Sequence, residues 1–364
     1  MKALVIGGTG PSGAPIVRGL IERGYEPVIL HRGAHEVDEI MHLEHIHVDP
    51  HFEETLREGL GSRTFDVVLA MYGRLRLLPS VLAGVSDRVI SVGGTVFKSI
   101  QSQPAGEDDP RMDNHKLYLR IVETEQVLAK AHEDGVFNLT HFRYPNLFGP
   151  RQLAPREWSM IRRLLDGRRR FAVLDGGLTL ESRAYVDNAA HAVLLAVDKP
   201  MGSAGQMYNV ADERTQSDAD RLLTTAAIMG IDDIELVSFP PEAGIPAWYW
   251  GVGRSLTWSR EGEPPSTEHQ LLSVDKMVDQ LGYHDVVDFE TAMRETVEWY
   301  LAHRPEPGGE EERQIGDPFD YAAEDAFLAA HDEFVAKCES LPFAGVDYHH
   351  PYAHPKGPAK SSAS

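Results

Sequence analysis

Apolar, β-branched runs alternate with helical patterns through the first 143 residues. Residues 2–6 read as a strand, and a helix over about residues 13–23 follows, closed by Gly24. Further apolar runs at residues 27–30, 46–48, 65–71 and 87–92 read as strands two to five. A long helix over about residues 114–133 then precedes a sixth strand at residues 137–142. Continuous apolar strands separated by helices imply a parallel sheet covered on both faces, because a strand with one wet face would alternate.

From Tyr144 onward the pattern loosens. It predicts a basic helix over 156–167, strands at 171–174 and 206–210, and helices over 187–198, 218–228, 274–281 and 289–302. The expected organisation is a Rossmann-type doubly wound α/β domain over residues 1–143, with segments near 184–212 returning to it. A smaller substrate lobe follows over 144–304. Residues 305–320, rich in Pro, Gly and Glu, read as a linker. Phe327, His331, Phe334, Cys338 and Leu341 then recur at helical spacing, so a helix there should dock one apolar stripe on the body or on a second copy. The end of the chain, through residues 361–364, reads as disordered.

Composition narrows the partners. Lys and Arg number 35 against 56 Asp and Glu, a net charge of -21. Such a charge repels phosphate backbones and anionic lipid, so neither nucleic acid nor membrane is expected as a partner. Cys338 is the single cysteine, so no disulfide forms within the chain. The apolar run at the N-terminus stops at Gly7, too short for a signal peptide or a membrane span, and the expected location is cytoplasmic.

The chemistry concentrates between the first strand and the first helix, in Gly7-Gly8-Thr9-Gly10-Pro11-Ser12-Gly13. Glycines suit a turn with unusual backbone angles, the approach of a pyrophosphate, and close packing of helix on strand. The helix N-terminus offers free N–H groups and the positive end of its dipole, and Pro11 suits its first turn. Gly7, Thr9, Gly10, Pro11, Ser12 and Gly13 are therefore cofactor-binding candidates.

Three further landmarks follow in order: Arg143-Tyr144-Pro145-Asn146-Leu147-Phe148-Gly149-Pro150-Arg151, then Arg183-Ala184-Tyr185-Val186-Asp187-Asn188, then Met207-Tyr208-Asn209-Val210. With the glycine turn they make residues 1–300 resemble the extended short-chain dehydrogenase/reductase family, the NAD-dependent epimerase/dehydratase group. The resemblance implies NAD or NADP in the first lobe and a small-molecule substrate in the second, with homodimerisation open. It places Tyr144 beside the cofactor, and Asn146, Arg151 and Arg183 beside the substrate; Tyr72, after the fourth strand, stands at the carboxyl edge where such sheets bind ligands and is a further cofactor candidate. It also matches Asp49 to an aspartate that contacts adenine; the alternative is a turn residue before Pro50.

The second strand ends in Leu30-His31-Arg32-Gly33. An acid there would hold a ribose 2′-hydroxyl; with none, Arg32 on a 2′-phosphate favours NADP, while Arg32 stacked on adenine would leave NAD open. The family's acid–base work belongs to Tyr-x-x-x-Lys on the long helix, with a hydroxyl after the fifth strand. Aligned without gaps, Leu117, Ile121 and Gly93 take those positions, and a one-residue slip restores none. Replacement candidates are Lys116, Tyr118 and Tyr72, a tyrosine beside a cation being a workable acid.

Three weaker constellations remain. His45 and His47 share a strand face and could pinch a metal, but no cysteine accompanies them, so solvated histidines are expected and no metal. His349, His350 and His354 sit in the tail. Arg151, Arg156, Arg162, Arg163, Arg168, Arg169 and Arg170 either meet a substrate phosphate or offset nearby carboxylates. Trp158, Trp248, Tyr249 and Trp250 read as core fillers or as a pocket lining. The sequence thus points to an NAD(P)-dependent reductase, isomerase or lyase without the usual triad. The alternatives are a non-catalytic nucleotide-binding sensor and a nucleotide-sugar epimerase or dehydratase.

Overall fold

In β1 (Lys2–Ile6) only Lys2 reaches the surface and the four residues after it are buried, as a strand covered on both faces requires. The computed structural model describes residues 1–34, 36–96, 104–112, 116–240, 269–352 and 357. A seven-stranded sheet runs in the order β3 (Glu44–His47), β2 (Glu26–His31), β1, β4 (Val67–Ala70), β5 (Arg88–Gly94), β6 (Asn138–Tyr144) and β11 (Gln206–Asn209), with β1 and β4 in its interior. All neighbours run parallel. The chain reverses direction across the sheet between β1 and β4, the switch point at which such sheets open a ligand crevice.

Both faces are closed by helices. On one, α1 (Gly13–Glu22) and α6 (Val186–Asp198) place Val17, Leu20, Ala189 and Val193 against Val5, Ile29 and Phe142. On the other, α2 (Glu53–Leu60), α3 (Leu78–Leu82) and α4 (Lys116–Glu133) bring Leu56, Leu82 and Leu128 against Leu4, Val68 and Leu139. The two faces of each strand thus feed separate cores, which accounts for apolar runs without alternation.

Most of the remaining elements form a second part of the chain, while Met277 and Leu281 pack into the first sheet core. β7 (Asn146–Phe148) pairs with β10 (Arg183–Tyr185), and β8 (Arg170–Leu174) with β13 (Glu235–Phe239), both parallel. β9 (Leu180–Glu181) meets β12 (Gln216–Ser217) antiparallel. Helix α7 (Asp218–Ile228) opens on a reciprocal cap between Ser217 and Asp220. Helices α5 (Arg156–Leu165) and α9 (Phe289–Ala302) complete this part, and α8 (Asp275–Leu281) carries Met277 and Leu281. Trp158 lies in the core with Val297 and Tyr300 and donates its indole N–H to Glu312 Oε1 at 2.9 Å. Trp248, Tyr249 and Trp250, like residues 361–364, lie outside the described residues.

Residues 305–320 are not a linker. They contain α10 (Glu310–Ile315), with Glu312, Ile315 and Asp317 buried. Of the arginines expected to meet a phosphate or to offset nearby carboxylates, those of the 162–170 run pair with carboxylates, and two of them hold this segment. Arg162 pairs with Glu312 at 2.6 Å, and the fully buried Arg163 bridges Asp317 and Glu324 at 2.7 and 2.6 Å. Arg168 pairs with Asp325, Arg169 with Asp233, and Arg170 with both Glu235 and Asp332. A Pro/Gly/Glu composition resembled a linker because its acidic residues are partners of a helix some 150 positions away in sequence.

The apolar stripe on α11 (Tyr321–Glu339) is also only partly docked. Leu328 is buried and Phe327 stacks on Phe239 with ring centroids 3.9 Å apart, but Phe334 is 65% exposed and Leu341 46%. The core built on α5, α7, β8 and β13 reaches only the first half of the helix. Among the described residues no helix is long and apolar enough to cross a membrane.

Candidate functional site

The turn after β1 is shaped by what cannot fit in it. Gly7 has φ 87°, and a Cβ there would lie 2.3 Å from Cβ of Tyr72, on the segment leaving β4. A Cβ on Gly13 would lie 2.1 Å from the Gly8 carbonyl oxygen, so the first turn of α1 can close on β1 only without one. Gly10 differs: the nearest atom to its Cβ position is the Gly7 oxygen at 3.7 Å, an ordinary contact, so a Cβ fits there. The cradle is thus rigid at its two ends and empty at its middle.

That empty middle is one end of a cleft of about 810 Å³. Gly7, Thr9, Gly10, Pro11, Ser12, Gly13, Arg32, Tyr72 and Tyr144, all read from the sequence as cofactor-binding, line it, and so does Asn146. The residues present suit a dinucleotide. A helix N-terminus meets its pyrophosphate, and an exposed arginine stands at the end of β2, where the ribose would lie. Arg32 Cζ is 5.8 Å from the Tyr72 ring centroid, a cation resting against the phenol.

Other sequence-read residues stand apart. Asp49 does not line the cleft; its Oδ1 accepts the His51 backbone N–H at 2.9 Å and lies 2.8 Å from His51 Nδ1. The hydrogen bond from the His51 backbone, ahead of smaller effects, holds its carboxyl below the usual aspartate range. Arg151 has φ 60°, pairs with Glu39 and lies 4.8 Å over Trp299, outside the cleft lining. Arg183 is buried and pairs with Glu157 at 2.6 Å. Burial opposes its charge, but the carboxylates of Glu157 and Glu181 keep its pKa above the ordinary value. Arg221 is buried in the same cluster and Arg156 partly so, and desolvation lowers each to about 10. Asn146 connects the cleft to this cluster by donating its amide N–H to Glu181 Oε1.

The acid–base candidates also divide. Tyr72 lines the cleft and is 43% exposed. Lys116, exposed, and Tyr118, half-buried with its pKa raised by burial, do not line it. Ile121 approaches the end of β5 from α4: a Cβ on Gly94 would sit 3.5 Å from its Cδ1. At Gly93 the His141 ring occupies the space a side chain would need, 2.9 Å from a Cβ. His141 is itself hydrogen-bonded to Ser91 Oγ at 2.8 Å through Nδ1. Tyr144 donates its hydroxyl to the Ala189 carbonyl at 3.1 Å, and burial pushes its pKa far up, so it is a fixed wall rather than an acid.

Sequence reasoning missed part of the wall. Glu310, Glu311 and Gln314 of α10 line the cleft, as does His31. The glutamates were hidden in the apparent linker. His31 was within reach, since it directly precedes Arg32 at the end of β2.

Residues 71–211 match the NAD dependent epimerase/dehydratase family. Over 226 residues it is 27% identical to sterol-4-alpha-carboxylate 3-dehydrogenase (decarboxylating) of Schizosaccharomyces pombe, covering 59% of this chain and 64% of that protein. Over 119 residues it is 28% identical to dTDP-glucose 4,6-dehydratase of Shigella flexneri, covering 33% and 28%. The chain therefore spans less than two thirds of either relative. Among solved structures, UDP-glucuronic acid 4-epimerase of Bacillus cereus in complex with NAD superposes with TM-score 0.65 at 15% identity, covering 83% of this chain and 99% of that one. The dTDP-glucose 4,6-dehydratase DesIV of Streptomyces venezuelae, with NAD bound, gives 0.64 at 21%, covering 84% and 98%. The fold is thus that of these epimerase and dehydratase structures, as the glycine turn and the three landmarks implied.

Proposed function

We propose that the chain is an NAD(P)-dependent enzyme of the extended short-chain dehydrogenase type, acting on a small molecule without the Ser-Tyr-Lys triad. The observation that carries this reading is Gly10: a glycine whose missing side chain nothing in the protein fills, at the mouth of a helix N-terminus and inside the cleft. The cofactor, when bound, supplies hydride transfer. The chain's own residues bind and orient. The turn from Thr9 to Gly13, at the N-terminus of α1, meets the pyrophosphate, and Arg32 meets the ribose end, which favours NADP over NAD. Asn146, held by Glu181, positions substrate in the same cleft. Of Lys116, Tyr118 and Tyr72, only Tyr72 lines the cleft among the described residues, and it rests against Arg32 at the ribose end, so it orients the cofactor and is not the group that moves a proton on the substrate.

A second reading, a non-catalytic nucleotide sensor, draws support from the cleft lining, which holds no tyrosine–lysine pair among the described residues. Denaturing freshly purified protein and identifying the released molecules by mass spectrometry separates the cases. Retained NAD(P) supports isomerase or lyase chemistry that regenerates the cofactor. An empty protein that binds added NADPH supports a reductase if turnover with a carbonyl substrate follows, and a sensor if none does. Neither retained nor bindable nucleotide defeats the proposal.

A further inference from the structure

We propose that His31, Glu36, His45 and His47 form a binding site for one divalent transition-metal ion of the zinc class. From the sequence, His45 and His47 alone were in view, and solvation was the expected reading. The structure adds two donors. His31 on β2 is the register partner of His47 on β3, and Glu36 comes from the loop joining those strands. One ligand atom from each of the four residues lies within 4.8 Å of all the others.

The donor set selects the ion. Three imidazole nitrogens and one carboxylate oxygen suit zinc, cobalt or nickel, whereas calcium and magnesium take oxygen ligands. Bonds of the usual length place the donors of a tetrahedral ion about 3.4 Å apart. Here His31 Nε2 and His45 Nδ1 are 2.8 Å apart, and His47 Nε2 and Glu36 Oε1 3.6 Å. Loading therefore opens the first pair slightly and draws the second inward. The second pair can follow, because its side chains are 56% and 40% exposed.

The supporting contacts are those of a ligand shell. His45 Nε2 lies 2.9 Å from the Ile40 carbonyl, so it carries the proton and leaves Nδ1, facing the cluster, as a lone pair. His31 is buried, which fixes its ring against the cluster. In the metal-free chain its Nδ1 accepts the Gly33 N–H at 3.2 Å. An ion on Nε2 requires a proton on Nδ1 and displaces that N–H. Gly33, with φ 76°, directly follows Arg32, so occupancy of the site reaches the residue that faces the ribose end of the cleft.

The test uses the full chain, stripped of metal and dialysed against Zn²⁺ with the bound metal quantified, and Co²⁺ as a spectroscopic substitute. The expected result is one equivalent bound at low-micromolar free zinc, with the visible absorption of tetrahedral cobalt. His47→Ala and Glu36→Gln, both at exposed positions that spare the fold, should each weaken binding about tenfold or more. A double substitution of the tail, His349→Ala with His350→Ala, should leave it unchanged. No stoichiometric binding by the parent chain, equal binding by His47→Ala, or loss confined to the tail variant would each overturn the assignment.

Discussion

Replacing Arg163 with alanine should release the C-terminal extension and open one wall of the cleft. Arg163 is fully buried and donates to Asp317 at 2.7 and 2.8 Å, to Glu324 at 2.6 Å, and to Ser159. Burial works against the Asp317 carboxylate, yet the hydrogen bonds and charge of Arg163 prevail and hold its pKa below the ordinary value. Truncation would strand two carboxylates in the interior, a loss of about 3–5 kcal/mol for a buried pair broken on one side. Arg168→Ala is the matched control: its partner Asp325 is 62% exposed, and such a pair is worth less than about 1 kcal/mol. Equilibrium urea unfolding measures both variants. Limited proteolysis reports whether residues 305–339 come loose. Since α10 contributes Glu310, Glu311 and Gln314 to the cleft, NADPH affinity should fall in the same variant. An Arg163→Ala protein within about 1 kcal/mol of the parent would refute the reasoning, because the buried triad would then contribute no more than a surface pair.

Three other outcomes are expected. Gly10→Val should fold with near-parental stability, since nothing opposes its side chain, yet bind nucleotide at least about tenfold more weakly in a fluorescence titration; equal affinity would remove Gly10 from the site. Arg32→Ala should weaken NADPH by about tenfold while leaving NADH nearly unchanged, and equal losses would instead favour stacking on adenine. Burial holds His141 down at about 4, so the unfolded chain takes up its proton first as pH falls from about 6.5. Stability is thus intact near neutrality and should drop by about 2 kcal/mol between pH 7 and pH 5 from this residue, as read by urea unfolding at the two pH values. A His141→Gln variant with the same slope as the parent would assign the loss elsewhere.

What the sequence disclosed and what it hid have physical causes. The turn from Gly7 to Gly13 was legible because each glycine answers a local demand of backbone angle or approach, and local demands leave local residue choices. The sheet was legible because strands packed on both faces cannot alternate. Residues 305–320 were misread because their order comes from Arg162 and Arg163, partners remote in sequence, and composition records no pairing at that range. The histidine cluster was half visible for the same reason. His45 and His47 share a face by their spacing of two, but His31 joins them only once β2 and β3 are laid side by side. The stripe on α11 shows the converse: helical spacing gave the face correctly, but not how far along it the core extends.

The central claim is that the cleft beginning at Gly10 holds a nicotinamide dinucleotide, and a fluorescence titration of the full chain with NADPH tests it most directly. Saturable binding at micromolar concentration, one nucleotide per chain and competed by NADP⁺, is the predicted result. No saturation with either NADPH or NADH, in protein that also releases no nucleotide on denaturation, would contradict it.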